Sequence, residues 1–321
     1  MKNKHYYLGT DVGGTNLVAA VVNESYHIIT RESIPANAGR SIDAITSDIA
    51  EVSKSVVQKA GLQLGDISSW GIGMPSCVNP KTNRLVHANN FGWKNVPIYD
   101  YLKKHLPLPT YIANDANCAA FGEVLAGAAR AYTDVIMLTL GTGVGGGIVL
   151  DKRIYAGYDQ MGAELGHTKL VYDGLLCTCG QKGCLESYCS STALIRRARE
   201  AVSENLGSLI LDLCDHDLNR INGELIFEAS GKGDSLAMKI VDEYTSFLAA
   251  GLSSFITIFR PQVIILGGGI ASAGEQLLKP LNEKLFTNTF AASEIGIPQV
   301  IGAELGNDAG LIGAAFLERT I

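Results

Sequence analysis

Tyr6-Tyr7-Leu8-Gly9-Thr10-Asp11-Val12-Gly13-Gly14-Thr15-Asn16-Leu17-Val18-Ala19-Ala20-Val21-Val22 is an apolar run, a glycine-rich turn and a second apolar run. That order predicts a β-hairpin rather than a strand–helix unit. The design recurs far along the chain. Val135-Ile136-Met137-Leu138-Thr139-Leu140 leads into Gly141-Thr142-Gly143-Val144-Gly145-Gly146-Gly147, and Ile148-Val149-Leu150 leads out. This is a repeat of architecture rather than of close sequence. Two copies predict two similar α/β domains, each offering one glycine loop to a shared cleft.

Between the copies, the pattern predicts a helix near Ala44–Ala60 and a strand ending at Trp70–Gly73. A short strand at Tyr111-Ile112-Ala113 then runs into Asn114-Asp115-Ala116-Asn117 and a helix of small residues through Ala129. Helices are expected over Ser190–Glu204 and Ser235–Phe259, the latter stopped by Arg260-Pro261. Val263–Leu266 is a buried strand ending in Gly267-Gly268-Gly269, and Leu311–Leu317 forms a final helix.

A chain of 321 residues exceeds the usual single-core size, and 47% hydrophobic against 18% charged residues is ample for globular cores. The net charge of −6 argues against nucleic acid as a partner, because phosphate neutralisation wants a basic face. No leader-type segment opens the chain, and the uncharged stretches Val135–Leu150 and Tyr244–Phe259 are too short for a membrane span. No membrane is therefore expected as a partner. Seven cysteines, an odd number, do not make a disulfide framework, so a reducing cytoplasm is the expected compartment.

Asp11-x-Gly13-Gly14-Thr15 exposes backbone N–H groups with a hydroxyl and a carboxylate alongside. Such a loop can hold phosphate oxygens, while the acid reaches Mg²⁺ directly or through water. It is neither a Walker loop nor a dinucleotide fingerprint. A tight hairpin needing Gly for its turn would explain one such loop. Three glycine-rich strand termini, at Gly9–Asn16, Gly141–Gly147 and Gly267–Gly269, point to one bulky anionic ligand, with a nucleotide as the best candidate.

His167, Cys177, Cys179 and Cys184 form a Cys₃His set in which the thiols are spaced Cys-x-Cys-x₄-Cys. Four soft or borderline ligands suit a closed, structural zinc site. Buried free cysteines are the alternative, but Gly180 and Gly183 favour a metal-wrapping turn. Glu164 and Glu186 flank the set. Asp115, between a strand and a helix, could accept a hydroxyl proton during attack on phosphorus. From spacing alone a helix cap is the stronger reading, one that Asn114, Asp115 or Asn117 could each supply.

These motifs, together with Glu123, Glu164-Leu165-Gly166-His167-Thr168 and Cys-x-Cys-Gly-x-x-Gly-Cys-x-Glu ending at Glu186, resemble the ROK family (repressor, open reading frame, kinase) from end to end. The resemblance implies a two-lobed actin-like ATPase (ribonuclease H-like) fold with duplicated α/β domains and a structural zinc loop. It implies an N-terminal domain over 1–118, completed by a C-terminal helix at about 305–321. A larger domain over 119–304 would carry the zinc loop and a dimerisation surface. Asn90-Phe91-Gly92-Trp93-Lys94-Asn95 and Leu305-Gly306-Asn307-Asp308-Ala309-Gly310 resemble loops of the glucokinases of Gram-positive bacteria. Asn16 stands where many members have Lys, and Ser76-Cys77 replaces a Pro-Gly-Pro-type turn.

Carried over by residue, the resemblance implies an ATP-dependent glucokinase with Mg²⁺, in which Asp115 is the general base for the 6-hydroxyl. Asn90, Asn114, Glu164, His167 and Glu186 would bind the other hydroxyls. The nucleotide would lie on Gly9, Thr10, Asp11, Gly13, Gly14, Thr15, Asn16, Gly141, Thr142, Gly143, Gly145, Gly146, Gly267, Gly268 and Gly269. His167 would bind zinc through one ring nitrogen and turn the other towards sugar. A homodimer or homotetramer is implied as well. The alternatives are a kinase for N-acetylmannosamine, N-acetylglucosamine, fructose or allose, and a non-catalytic sugar-sensing regulator. A DNA-binding repressor would need a helix-turn-helix module ahead of Gly9, where eight residues stand.

Overall fold

The computed structural model describes residues 5–320. Its strands are β1 (Tyr6–Val12), β2 (Asn16–Asn23), β3 (Ile28–Pro35), β4 (Ile67–Met74), β5 (Val78–Asn79), β6 (Arg84–Ala88), β7 (Trp93–Val96) and β8 (Thr110–Asn114). They continue as β9 (Val135–Leu140), β10 (Val144–Leu150), β11 (Arg153–Ile154), β12 (Val263–Gly267) and β13 (Gln299–Gly302). The helices are α1 (Ile42–Lys59), α2 (Ile98–His105), α3 (Asp115–Leu125), α4 (Glu186–Cys189), α5 (Ser191–Glu204) and α6 (Leu209–Leu213). After them come α7 (Gly223–Gly231), α8 (Ser235–Phe259), α9 (Glu275–Asn288), α10 (Ala292–Ile295) and α11 (Asp308–Ala315).

The repeat seen in the sequence is a repeat of topology. One five-stranded sheet has the order β3-β2-β1-β4-β8 and the other β11-β10-β9-β12-β13, the same arrangement met twice. In the first, β1–β2 and β2–β3 are antiparallel, whereas β1–β4 and β4–β8 are parallel. This duplicated α/β pattern is the actin-like ATPase fold. β5, β6 and β7 form a small separate sheet.

The chain divides into two compact units. One runs through Ile136 and takes in Gly147–Ala163 and the segment from Glu304 on; the other comprises Met137–Gly146 and Glu164–Ala303. The expected boundary at residue 118 falls inside α3. The second glycine hairpin and the last helix are apportioned by packing rather than by sequence order.

In the first unit, the two-residue period of β1 decides what meets what. Leu8 and Val12 join Ile45, Ile49, Val52 and Val56 of α1 in one core layer. Tyr7 lies on the other face with Phe121, Leu311, Ala315 and Phe316. Gly9 and Asp11 share that second face by alternation. A methyl group on Gly9 would lie 2.1 Å from the Leu311 carbonyl oxygen, and one on Gly71 of β4 1.7 Å from that of Ala314. The backbone of α11 therefore lies directly on the sheet. α3 packs on α11 equally closely, since a methyl at Gly122 would meet the Ala309 carbonyl oxygen at 2.1 Å.

Helix ends follow local chemistry. Ser41 caps α1, its Oγ accepting from Ala44 N at 3.2 Å, so the helix begins two residues before the expected Ala44. α8 covers Ser235–Phe259, capped by Asp234 and ended by Arg260 in the left-handed region (φ 47). α3 stops at Leu125 rather than continuing to Ala129: Ala126 leaves the helical region (φ −138), and beyond it Ala128 N donates to the Glu123 carboxylate at 2.8 Å. α11 begins at Asp308, ahead of the expected Leu311. Among the described residues, no helix is long and apolar enough to cross a membrane.

Candidate active site and metal centre

The expected site residues fall into two sets, one in each unit. In the first, β1 and β2 close a hairpin through Gly13 N donating to Asn16 O at 2.9 Å, which leaves Gly14, Thr15 and Asn16 exposed. A methyl on Gly14 would sit 3.0 Å from Asn90 Nδ2, so Asn90 stands against the turn. Two residues expected on the nucleotide are instead packing residues. Gly9 seats α11, as above. Thr10 is buried, its Oγ1 accepting from Trp70 Nε1 at 2.9 Å and lying 3.0 Å from Ser53 Oγ.

At the start of α3, Asn114 is the cap: its Oδ1 accepts from Ala116 N at 2.9 Å and Asn117 N at 3.3 Å. That settles the ambiguity over the cap and leaves Asp115 as the first helical residue, its Oδ1 accepting from Ala116 N at 2.8 Å. The Asn114 amide nitrogen keeps both of its donors outside the cap. Burial raises the Asp115 carboxyl above its ordinary value, against the opposing pull of backbone hydrogen bonds. Asp11 is pushed up to about 6, by burial first and then by the Asp115 charge. The Asp115 charge thus makes Asp11 hold its proton more tightly than burial alone would. Both also raise the buried Cys118 thiol, although burial is its larger cause.

Ser76, flagged as a departure, is buried, and its hydroxyl donates to His87 O at 2.6 Å. Glu123 is fully buried, its carboxylate accepting from Glu304 N at 3.1 Å and Leu305 N at 2.8 Å as well as from Ala128 N. It joins the end of α3 to the segment leading into α11.

In the second unit, Gly141–Gly143 is the turn, and Gly145, Gly146 and Gly147 belong to β10 rather than to a loop. Gly146 and Gly147 serve close packing. A methyl on Gly146 would meet Leu165 Cβ at 2.5 Å, and one on Gly147, in the first unit, would meet Ala120 Cβ at 2.5 Å. The turn is tied to the start of α5, where Ser191 N and Oγ both donate to Gly141 O at 2.8 Å and Thr192 Oγ1 donates to Thr142 O at 2.8 Å. These two residues were not singled out in the sequence, where they look like ordinary helix-start hydroxyls. At the end of β12, Gly268 takes φ +84, and a methyl there would meet Leu140 O at 2.5 Å.

The metal set converges. His167, Cys177, Cys179 and Cys184 each place one donor atom within 4.8 Å of all the others. Cys179 and Cys184 Sγ are 3.7 Å apart, and Cys177 Sγ is 3.7 Å from His167 Nδ1. A tetrahedral zinc with bonds of about 2.3 Å has edges of about 3.8 Å, so the donors fit that ion. Gly183 (φ +77) permits the turn, and a methyl there would meet Val171 O at 1.7 Å. Burial and then the neighbouring thiols raise Cys184 to about 11. Metal binding to this set must therefore displace protons.

Glu186 follows two residues after Cys184. Its Oε1 accepts from Thr178 Oγ1 at 2.7 Å and Cys177 Sγ at 3.3 Å, and its Oε2 from Val144 N at 3.0 Å. Burial opposes its ionisation, but these hydrogen bonds prevail, and its pKa is lowered. Glu164 is exposed, immediately before the short 3₁₀ turn that carries His167.

A glycine hairpin beside two carboxylates, on an actin-like ATPase fold that also carries a thiol–imidazole loop, defines a small-molecule kinase class. The ROK family model matches residues 7–321, and the chain belongs to the ROK family. It is 34% identical over 322 residues to a glucokinase of Halalkalibacterium halodurans, covering 98% of this chain and 95% of that protein. It is 35% identical over 316 residues to the glucokinase of Thermotoga maritima, covering 97% and 96%. Among solved structures, it resembles a ROK glucokinase from Streptomyces griseus in complex with glucose and AMPPNP. The TM-score is 0.81 at 34% identity, covering 97% of this chain and 98% of that one.

Proposed function

We propose that the protein is an ATP-dependent glucokinase that transfers the γ-phosphoryl group to the 6-hydroxyl of glucose, with Asp115 as general base. The observation that carries this reading is the Asp11–Asp115 pair. Asn114 performs the capping duty, so Asp115 remains available as a base, and burial strengthens its affinity for a proton. Asp11, at the mouth of the glycine hairpin, is offered to the magnesium ion that accompanies ATP. Phosphoryl transfer depends mainly on positioning and charge neutralisation, which suits a site with few reactive side chains.

Asn90 and the free donors of Asn114, with Glu164, His167 and Glu186, bind the remaining sugar hydroxyls. A pyranose presents paired donors and acceptors that carboxylates and amides satisfy. The exposed Gly14, Thr15 and Asn16, with Gly141–Gly143 and Gly268–Gly269, hold the nucleotide. His167 would hold a structural zinc through Nδ1 together with Cys177, Cys179 and Cys184. The ion's contribution would be to fix the ring's tautomer and direction, leaving Nε2 for substrate.

Cys118, Cys189 and Cys214, buried as thiols, support a cytoplasmic location. The exposed Ile258, Phe286, Phe290 and Ile295 support assembly as a homodimer or homotetramer, which light scattering tests. A coupled ADP-release assay across glucose, mannose, fructose, allose and N-acetylated amino sugars tests the reaction. Glucose should be the preferred acceptor. Preference for another hexose would shift the substrate, and absence of turnover with all of them would sink the kinase reading.

A further inference from the structure

Thr178 lies between the first two cysteines of the metal loop and belongs to no ligand set. Its side chain nevertheless makes the shortest hydrogen bond to Glu186, 2.7 Å from Oγ1 to Oε1. Cys177 Sγ reaches the same oxygen at 3.3 Å. A thiol that gives up its proton to ligate a metal cannot also donate to a carboxylate. Metal loading therefore leaves Glu186 with one donor on each oxygen: Thr178 Oγ1 on Oε1, and Val144 N on Oε2 at 3.0 Å. Two donors on opposite oxygens fix both the position and the plane of a carboxylate.

The far side is equally constrained. A methyl group at Gly143 would lie 2.5 Å from Glu186 Oε2, so the turn before β10 approaches the carboxylate as closely as a glycine allows. The carboxylate thus bridges the metal loop and the second glycine turn.

We propose that Thr178 is a positioning residue for the sugar site: its hydroxyl locks the Glu186 carboxylate into the orientation that accepts substrate hydroxyls and couples the fold of the metal loop to the Gly143–Val144 turn. The proposal rests on the assignment of Glu186 as a sugar-binding residue. It concerns substrate binding rather than the chemical step, so its signature lies in KM. Thr178 is exposed and its hydroxyl is not a metal ligand, so a threonine-to-valine exchange keeps shape and β-branching while removing only the donor.

The test measures Thr178→Val and Thr178→Ser beside the unsubstituted protein, each purified with zinc, by glucose titration in the ADP-release assay and by metal analysis. Losing a hydrogen bond to a charged group predicts a rise in the KM for glucose of about tenfold or more in Thr178→Val. kcat should stay within about threefold and zinc at one equivalent per chain, and Thr178→Ser should restore most of the affinity. A KM within twofold of the parent, no rescue by serine, or loss of zinc along with affinity overturns the positioning role. The unsubstituted protein separates the two claims. No turnover there sinks the kinase reading, whereas turnover there with an unchanged KM in Thr178→Val sinks only the role of Thr178.

Discussion

Replacing Asp11 with Asn removes a buried charge without changing the shape of the side chain. In the folded protein, Asp11 is pushed from 3.8 up to about 6, by burial and by Asp115. Below about pH 4 the group is protonated in both folded and unfolded chains and costs nothing. Between about pH 4 and 6 the folded protein keeps a proton that the unfolded chain has released, so stability falls as pH rises. Above that window the full penalty applies, about 3 kcal/mol at about 1.4 kcal/mol per pH unit. Asp11→Asn should therefore be more stable than the parent by up to about 3 kcal/mol at pH 7.5, and equal to it near pH 4.

For a unit of this size, about 2–4 °C per kcal/mol translates the gain into a rise in melting temperature of about 6–12 °C. The assay is a thermal melt of both proteins in a metal-chelating buffer, so that no cation offsets the carboxylate. Taking the difference between the two proteins cancels the acid-side losses from Glu32, Asp43 and Asp234, whose carboxyls are held down by their partners. A melting temperature equal to or below the parent at pH 7.5 would refute the reasoning. So would an equal gain at pH 4 and pH 7.5. A protein that keeps such a penalty should lose catalysis when it is relieved, so the stabilised variant is expected to be a poor kinase.

Glu123→Ala strands three backbone N–H donors that one buried carboxylate now satisfies. The expected loss is about 3–5 kcal/mol in a urea titration, and a loss below about 1 kcal/mol would show that water replaces the carboxylate. Gly143→Ala drives a methyl into Glu186 and should lower kcat/KM for glucose by tenfold or more, checked by steady-state kinetics with the fold monitored by circular dichroism. Cys179→Ser should purify with less than a tenth of the zinc of the parent. Zinc added to the stripped parent should release protons in weakly buffered solution, because Cys184 binds its proton up to about pH 11.

The architecture was legible from the first hairpin because strand–glycine–strand is a local signal, and its recurrence at Val135 gave the duplication. The convergence of His167, Cys177, Cys179 and Cys184 was legible because these residues lie close in sequence and a compact turn brings their side chains together. Residues whose role is set by packing were not. Gly9, Gly146 and Gly147 look like ligand-loop glycines, but they make room for Leu311, Leu165 and Ala120. Thr10 looks like a phosphate hydroxyl until the period of β1 turns it towards Trp70 and Ser53. The same alternation brings Asp11 to the face where Asp115 lies, a meeting no spacing in the sequence predicts. The choice between base and cap was open in the sequence because Asn114, Asp115 and Asn117 all have capping side chains. The backbone gave the cap to Asn114.

The central claim is that Asp115 takes the proton from the acceptor hydroxyl, and Asp115→Asn tests it most directly. Its ADP release with glucose and Mg·ATP should fall by at least a thousandfold, while calorimetry shows glucose affinity within about threefold of the parent. Turnover within a few-fold of the parent would contradict the account.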